Sequence, residues 1–165
     1  MGEPTRIIEE KLETWLSDAK KVAIAGIGNP IRMDDFVGVR IVQILSGKVS
    51  DKVLLIECES IPESYIQQII NFNPTHVLLI DAALLGLNPG EPEFLSPEQL
   101  PIFPAYSTHI LPLRIFCEHL LKTTEAKIGL LLIQPKQTDF GEGLTPEVEA
   151  SAEKLSSILL SKLPK

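Results

Sequence analysis

The sequence predicts an α/β fold: a single three-layer domain in which a mostly parallel, twisted sheet carries helices on both faces. Two observations lead there. Short apolar runs at 22–27, 53–56, 77–80 and 128–133 alternate with segments of helical periodicity, the order that builds parallel strands joined by helical crossovers. The run 128–133 is continuously apolar, as suits a strand buried on both faces. At 165 residues the chain has room for one substantial core, so 1–165 is read as one domain.

The elements follow in order. Ile8, Leu12, Trp15 and Leu16 fall on one stripe of a helix over about 5–18. The first strand is 22–27. Val37, Ile41, Ile44 and Leu45 line the next helix, which stops near Gly47. The second strand is 53–56, and Pro62 opens a helix through about Ile70. The third strand, 77–80, ends at Asp81. The stretch 87–104 carries five prolines and reads as loop, with 93–95 a short edge strand. Leu113, Phe116, Leu120 and Leu121 mark a helix that begins near 110–112. After the strand 128–133, Thr145-Pro146 reads as an N-cap followed by an N1 proline. The last helix runs to about Lys162, with Val148, Ala152, Leu155, Leu159 and Leu160 turned inward. No repeat, low-complexity tract or linker interrupts the pattern.

Composition narrows the function. Hydrophobic residues make up 44% and charged residues 22%, the values of an ordinary soluble protein. A net charge of −7 argues against nucleic-acid binding and against docking on anionic membranes. The longest apolar stretch, 77–87, is broken by Asp81 and too short to span a bilayer. The acidic, polar N-terminus is no signal peptide, and Arg6 breaks the myristoylation pattern. A cytoplasmic protein is expected. Cys58 and Cys117 are far apart, form no Cys-x-x-Cys pair, and read as buried reduced thiols.

The stretch Gly26-Ile27-Gly28-Asn29-Pro30-Ile31-Arg32-Met33-Asp34-Asp35-Phe36-Val37-Gly38 is the most informative. It places two adjacent acids where a strand hands over to a helix, the region where open α/β sheets bind ligands. It is not a dinucleotide loop, because Ile31 stands where the third glycine of Gly-x-Gly-x-x-Gly belongs. The carboxyl ends of the strands share one rim. Asp34 and Asp35 follow strand one, Asp81 closes strand three, and His109 follows the proline-rich loop at a helix start. A carboxylate ending an apolar strand is expensive to bury without a partner, although Asp81 could equally cap the next turn. Of the adjacent acids, one would cap the helix and the other face the crevice. His109, beside Ser107 and Thr108, sits where a helix N-terminus disfavours the imidazolium, leaving the neutral ring a metal ligand needs. His76 and His119 read as structural or solvated. Two carboxylates and one imidazole could hold a metal, but they do not choose between nickel, zinc, copper and iron. Neither a Gly-x-Ser-x-Gly elbow nor a His-Glu-x-x-His helix is present.

The motifs Gly26-x-Gly-Asn-Pro-x-x-x-Asp-Asp-x-x-Gly38, Leu79-Ile80-Asp81-Ala82 and Ser107-Thr108-His109, in that order, resemble those of nickel–iron hydrogenase maturation proteases. These endopeptidases remove a C-terminal extension from the hydrogenase large subunit after nickel insertion. The segment from Ile133 through Thr138-Asp139-Phe140-Gly141 to Val148 resembles the branch serving hydrogenase-3-type large subunits. One departure is visible: Phe36-Val37-Gly38 follows the acid pair, where many members have glycine at once. The resemblance implies a phosphorylase/hydrolase-like three-layer domain that acts as a monomer on the large-subunit precursor. It assigns Asp35, Asp81 and His109 as catalytic and metal-binding residues and leaves Asp34 for the cap. The metal implied is nickel delivered by the substrate rather than held by the free enzyme, with a cut after a basic residue. Gly28, Asn29 and Pro30 shape the loop, while Gln134 and Asp139 are candidate substrate contacts.

Two other readings compete. Gly26-Ile27-Gly28-Asn29-Pro30 also resembles the opening of peptidyl-tRNA hydrolases, but the histidine in a Thr-Arg-His-Asn context is missing. A non-catalytic nucleotide-binding module would use the same strand-turn-helix for phosphate, with Glu57 at the end of strand two for a ribose. Two acids in that turn would repel phosphate unless a metal bridged them.

Overall fold

A computed structural model describes residues 3–59, 62–100 and 110–165, with side chains described over 5–59, 64–100 and 113–165. Five strands form one sheet: β1 (Val22–Ile27), β2 (Val53–Cys58), β3 (His76–Ala82), β4 (Pro92–Leu95) and β5 (Lys127–Ile133). Five α-helices accompany them: α1 (Glu3–Leu16), α2 (Val37–Leu45), α3 (Ile66–Phe72), α4 (Ile110–Thr123) and α5 (Pro146–Lys162). The strand order is β2-β1-β3-β5-β4. The pairs β1–β2, β1–β3 and β3–β5 are parallel, and only β4 runs antiparallel, on the edge beside β5. The expected α/β architecture is thus present, and 93–95 is indeed an edge strand. Pro92, which cannot donate a ladder hydrogen bond, is tolerated at the start of that edge strand.

Alternation along the strands sorts the core into two layers. Val22, Ile24, Leu78, Ile80, Leu131 and Ile133 pack under α1, α2 and α5. Ala23, Ala25, Ile27, Val77, Leu79 and Leu130 pack under α3 and α4. Successive side chains on a strand point to opposite faces, so a sheet covered on both sides must be apolar at every position. β1 and β3 are buried throughout.

The boundaries differ from the sequence reading in small ways. β2 extends two residues past Ile56, and β3 begins at His76. The helix expected to open at Pro62 is a 3-10 turn, Pro62–Tyr65, before α3 takes over. A second 3-10 turn, Met33–Phe36, carries the acid pair into α2.

His76, read as structural, is buried at the start of β3. Its Nδ1 lies 2.8 Å from the Thr75 hydroxyl and its Nε2 lies 3.2 Å from Asp18 Oδ1. Trp15 meets its ring edge-on at 4.9 Å. Burial of the imidazole pulls its pKa down, and the Asp18 carboxylate opposes that shift only in part.

Candidate active site

The chain leaves β1 for β2 on one side of the sheet, then returns to lay β3 on β1's other side. The crevice at the carboxyl ends of β1 and β3 is therefore the topological switch point, where open α/β sheets bind their ligands. Asp35 follows β1 and Asp81 lies near the end of β3, so the fold brings these two acids to that crevice.

The close approach of α2 to the sheet depends on glycines. A Cβ on Gly38 would overlap the Ile80 carbonyl and crowd the Ile27 backbone, and one on Gly26 would overlap the Gly38 carbonyl. A Cβ on Gly28 would strike the Asp35 carbonyl. The glycines seat the acid-bearing turn directly on the ends of β1 and β3; they do not form a phosphate cradle. Met33, with φ of 47°, completes the tight turn into the acid pair.

The three acids are differently held. Asp81 is fully buried, and its Oδ1 accepts the Ala82 N–H at 2.8 Å. Asp35 is 8% exposed, and its Oδ2 accepts the Asn29 N–H at 3.0 Å. Asn29 in turn folds the loop locally, its Oδ1 accepting the Ile31 N–H at 3.1 Å.

Asp34 departs from expectation. It does not cap the helix it precedes: neither the 3-10 turn nor α2 has a side-chain cap. Its buried carboxylate instead reaches across to the β5–α5 loop. Oδ2 accepts the N–H groups of Lys136 at 2.9 Å and Gln137 at 3.0 Å, and Oδ1 accepts that of Thr145 at 2.8 Å. The Thr145 hydroxyl donates to Oδ2 at 2.8 Å. Four donors satisfy a charge that would otherwise be prohibitively expensive to bury. Thr145 keeps the extended backbone of an N-cap, but its hydroxyl is spent on Asp34 rather than on its own helix.

Backbone pairing completes the joint between the two loops. Asp34 N–H donates to the Gln137 carbonyl at 3.0 Å, Met33 N–H to that of Gly141 at 3.2 Å, and Gly141 N–H to that of Ile31 at 3.0 Å.

Gln134 is a second correction. The candidate substrate contact turns inward: its Oε1 accepts the Leu85 N–H at 2.6 Å and the Leu87 N–H at 3.4 Å. It therefore shapes the loop that follows Asp81. Asp139 is exposed. His109 lies outside the described residues, as do Ser107 and Thr108. Among the described residues, no three His, Cys, Asp or Glu side chains form a group able to hold a metal ion.

Beside the acid-bearing turn lies a cleft of about 730 Å³, walled by Phe36, Val39, Gln43, Glu57 and Tyr65 among others. Glu57 accepts a hydrogen bond from the Gln43 amide at 3.0 Å across it. A cleft of about 820 Å³ at the opposite pole, around Thr75, His76 and Lys127, is remote from these acids.

The family model for hydrogenase maturation proteases matches residues 39–162. The chain belongs to this family. It is 34% identical over 161 residues to a Methanocaldococcus jannaschii protein assigned as a hydrogenase maturation protease, covering 93% of this chain and 94% of that one. It is 28% identical to the hydrogenase 3 maturation protease of Escherichia coli, over 77% of this chain and 81% of the relative. The fold matches the crystal structure of a nickel–iron hydrogenase maturation protease, HycI, from Thermococcus kodakarensis with a TM-score of 0.84 at 34% identity, covering 93% of this chain and 98% of that one. It also matches the E. coli maturating endopeptidase HybD with a TM-score of 0.72 at 26% identity, over 86% of this chain and 91% of that one.

Membership settles the class of activity. The protein is a hydrogenase maturation protease, a peptide-bond hydrolase, and the nucleotide-module and tRNA-hydrolase readings are not favoured. No helix among the described residues is long and apolar enough to cross a membrane.

Proposed function

We propose that this protease removes the C-terminal extension of a nickel–iron hydrogenase large-subunit precursor of the hydrogenase-3 type, once nickel has been inserted. In this reading the nickel is part of the substrate. Asp35 and Asp81, with His109, engage the ion carried by the precursor and so place the scissile bond in the crevice. The observation that carries the reading is the convergence of two carboxylates on the β1/β3 switch point, while the neighbouring Asp34 is wholly committed to holding the loop. His109 directly precedes α4, which packs on the sheet face that also carries Val77 and Leu79. Strand alternation puts Asp81 on that same face. The match to the E. coli hydrogenase 3 protease supports the choice of client.

Hydrolysis needs a group to take the proton of the attacking water. A carboxylate of the pair is the available base, and a metal ion on the substrate carbonyl is the available electrophile. The thiols are not candidates, because burial pushes Cys58 and Cys117 up to about 12, far from the thiolate a nucleophile requires. The enzyme acts as a monomer in the cytoplasm, where free cysteines persist.

The test is to incubate the purified protein with a large-subunit precursor, with and without inserted nickel, and to follow intact mass. Loss of a defined C-terminal peptide only from the nickel-loaded precursor is expected, and Asp81→Asn should abolish it without unfolding the protein. Cleavage of both samples, or full activity of Asp81→Asn, would refute the metal-checking role.

A further inference from the structure

We propose that Phe140 is a preorganised apolar anchor for the precursor, set at the mouth of the site; the inference rests on the function proposed above. Phe140 is 84% exposed, more than any other large hydrophobic side chain among the described residues. A phenyl ring left in water forfeits the stabilisation that burial would bring, and such exposure marks sites of interaction.

The loop that presents the ring is held on both sides. Arg32 Nε donates to the Thr138 carbonyl at 3.1 Å, two residues before it. Gly141, the next residue, pairs with both Ile31 and Met33. Further back, the Asp34 carboxylate fixes Lys136 and Gln137. Every one of these ties leads to the 31–34 segment that runs directly into Asp35. The backbone that carries the ring is thereby held at a fixed offset from the candidate catalytic acid. An aromatic side chain on a fixed backbone has only two torsions left to order when a partner covers it, which suits it to be an interface hot spot.

Other apolar side chains stand exposed on the rim loops. Ile31, whose carbonyl accepts the Gly141 N–H, is 44% exposed, and Leu84 and Leu87 after β3 are 53% and 37% exposed. The loops following the parallel strands β1, β3 and β5 share the carboxyl rim, so these side chains stand on the same rim as the proposed active site. The flanking charges choose the occupant. Asp139 and Glu142 border Phe140 and are both exposed, on a chain of net charge −7. A second copy docking by two-fold symmetry on Phe140 would bring these like charges together. A precursor segment with an apolar side chain beside cationic residues fits instead.

The experiment compares cleavage of nickel-loaded precursor by the unaltered enzyme, Phe140→Ala, Phe140→Leu and Ile115→Ala, with affinity measured by calorimetry on the nickel-free precursor, which is not consumed. Ile115 is 54% exposed on α4, an element that takes no part in the ties to the Phe140 loop, and serves as the control. Phe140→Ala should raise KM and weaken binding about tenfold, the loss of one aromatic hot spot. Phe140→Leu should recover most of that loss, Ile115→Ala should change neither value, and the melting temperature should stay put because the ring packs against little. Binding by Phe140→Ala within twofold of the unaltered enzyme would overturn the anchor. So would sedimentation as a dimer that Phe140→Ala converts to a monomer. Binding without cleavage would refute the proposed reaction but leave the anchor standing, whereas an enzyme that neither binds nor cuts refutes both.

Discussion

Asp34 and Thr145 stand 111 residues apart and are joined twice: the Thr145 N–H donates to Oδ1 and its hydroxyl to Oδ2, both at 2.8 Å. With Lys136 and Gln137 also on this carboxylate, one buried side chain fastens the turn after β1 to the loop before α5. Asp34→Ala would strand those donors. A cost of roughly 3 kcal/mol or more is expected, since each hydrogen bond to a charged group is worth about 1.5–3 kcal/mol and buried orphans add to the loss. Urea unfolding reads the stability, and limited proteolysis should newly nick the chain between 136 and 145. Unchanged stability would mean that the carboxylate is dispensable.

Gly38→Ala tests the close seating of α2. The new methyl would collide with the Ile80 carbonyl and the Ile27 backbone, none of which can step aside without moving a strand. A destabilisation of about 3 kcal/mol follows from overpacking of this kind. The melting temperature should drop by roughly 6–12 °C for a chain of this size. Retention of the original melting temperature would show that α2 can lift off the sheet at little cost.

Cys58 and Cys117 are free and buried, and burial holds both thiols up at about 12. At pH 8 the folded protein should therefore be silent toward a thiol-exchange reagent, and both groups should react once it is denatured. Rapid stoichiometric labelling of the native protein would contradict their place in the core.

His76 makes stability depend on pH. Burial lowers its pKa in the folded protein below the ordinary imidazole value of 6.5, so the unfolded chain binds the extra proton more readily. Its contribution is intact above that value and drains away as pH falls below it. Asp18, Lys127, Thr75 and Trp15 face the ring and stay in place in a His76→Gln variant. Denaturant midpoints between pH 7 and pH 5 should fall less steeply for that variant. Identical slopes would assign the acid sensitivity to carboxylates alone.

The strand–helix order was legible because buried parallel strands are apolar at every position and the helices carry clear stripes. Asp81 stood out for the same reason, as the one charge in a run that is otherwise entirely apolar. The work of Asp34 was not legible. Its partners are backbone N–H groups of Lys136, Gln137 and Thr145, which every non-proline residue possesses, so no residue type announces them. Thr145 was readable as a helix start, yet nothing local says that its hydroxyl points away from that helix. Gln134 misled in the opposite sense: a polar residue after a buried strand looks like a ligand contact until its amide is seen holding the backbone of Leu85 and Leu87.

The tie between Asp34 and Thr145 also sets a schedule. A ribosome delivers the acid pair early and the last of its fastening points 111 residues later. At about 5–20 residues per second, that interval is roughly 6–22 s. Throughout it the nascent chain has the acid pair but not the full set of partners for Asp34, and β5, one of the neighbours of β3, is not yet made for most of that time. The turn that carries the acid pair can thus be fully fastened only after synthesis has passed Thr145, close to the last helix.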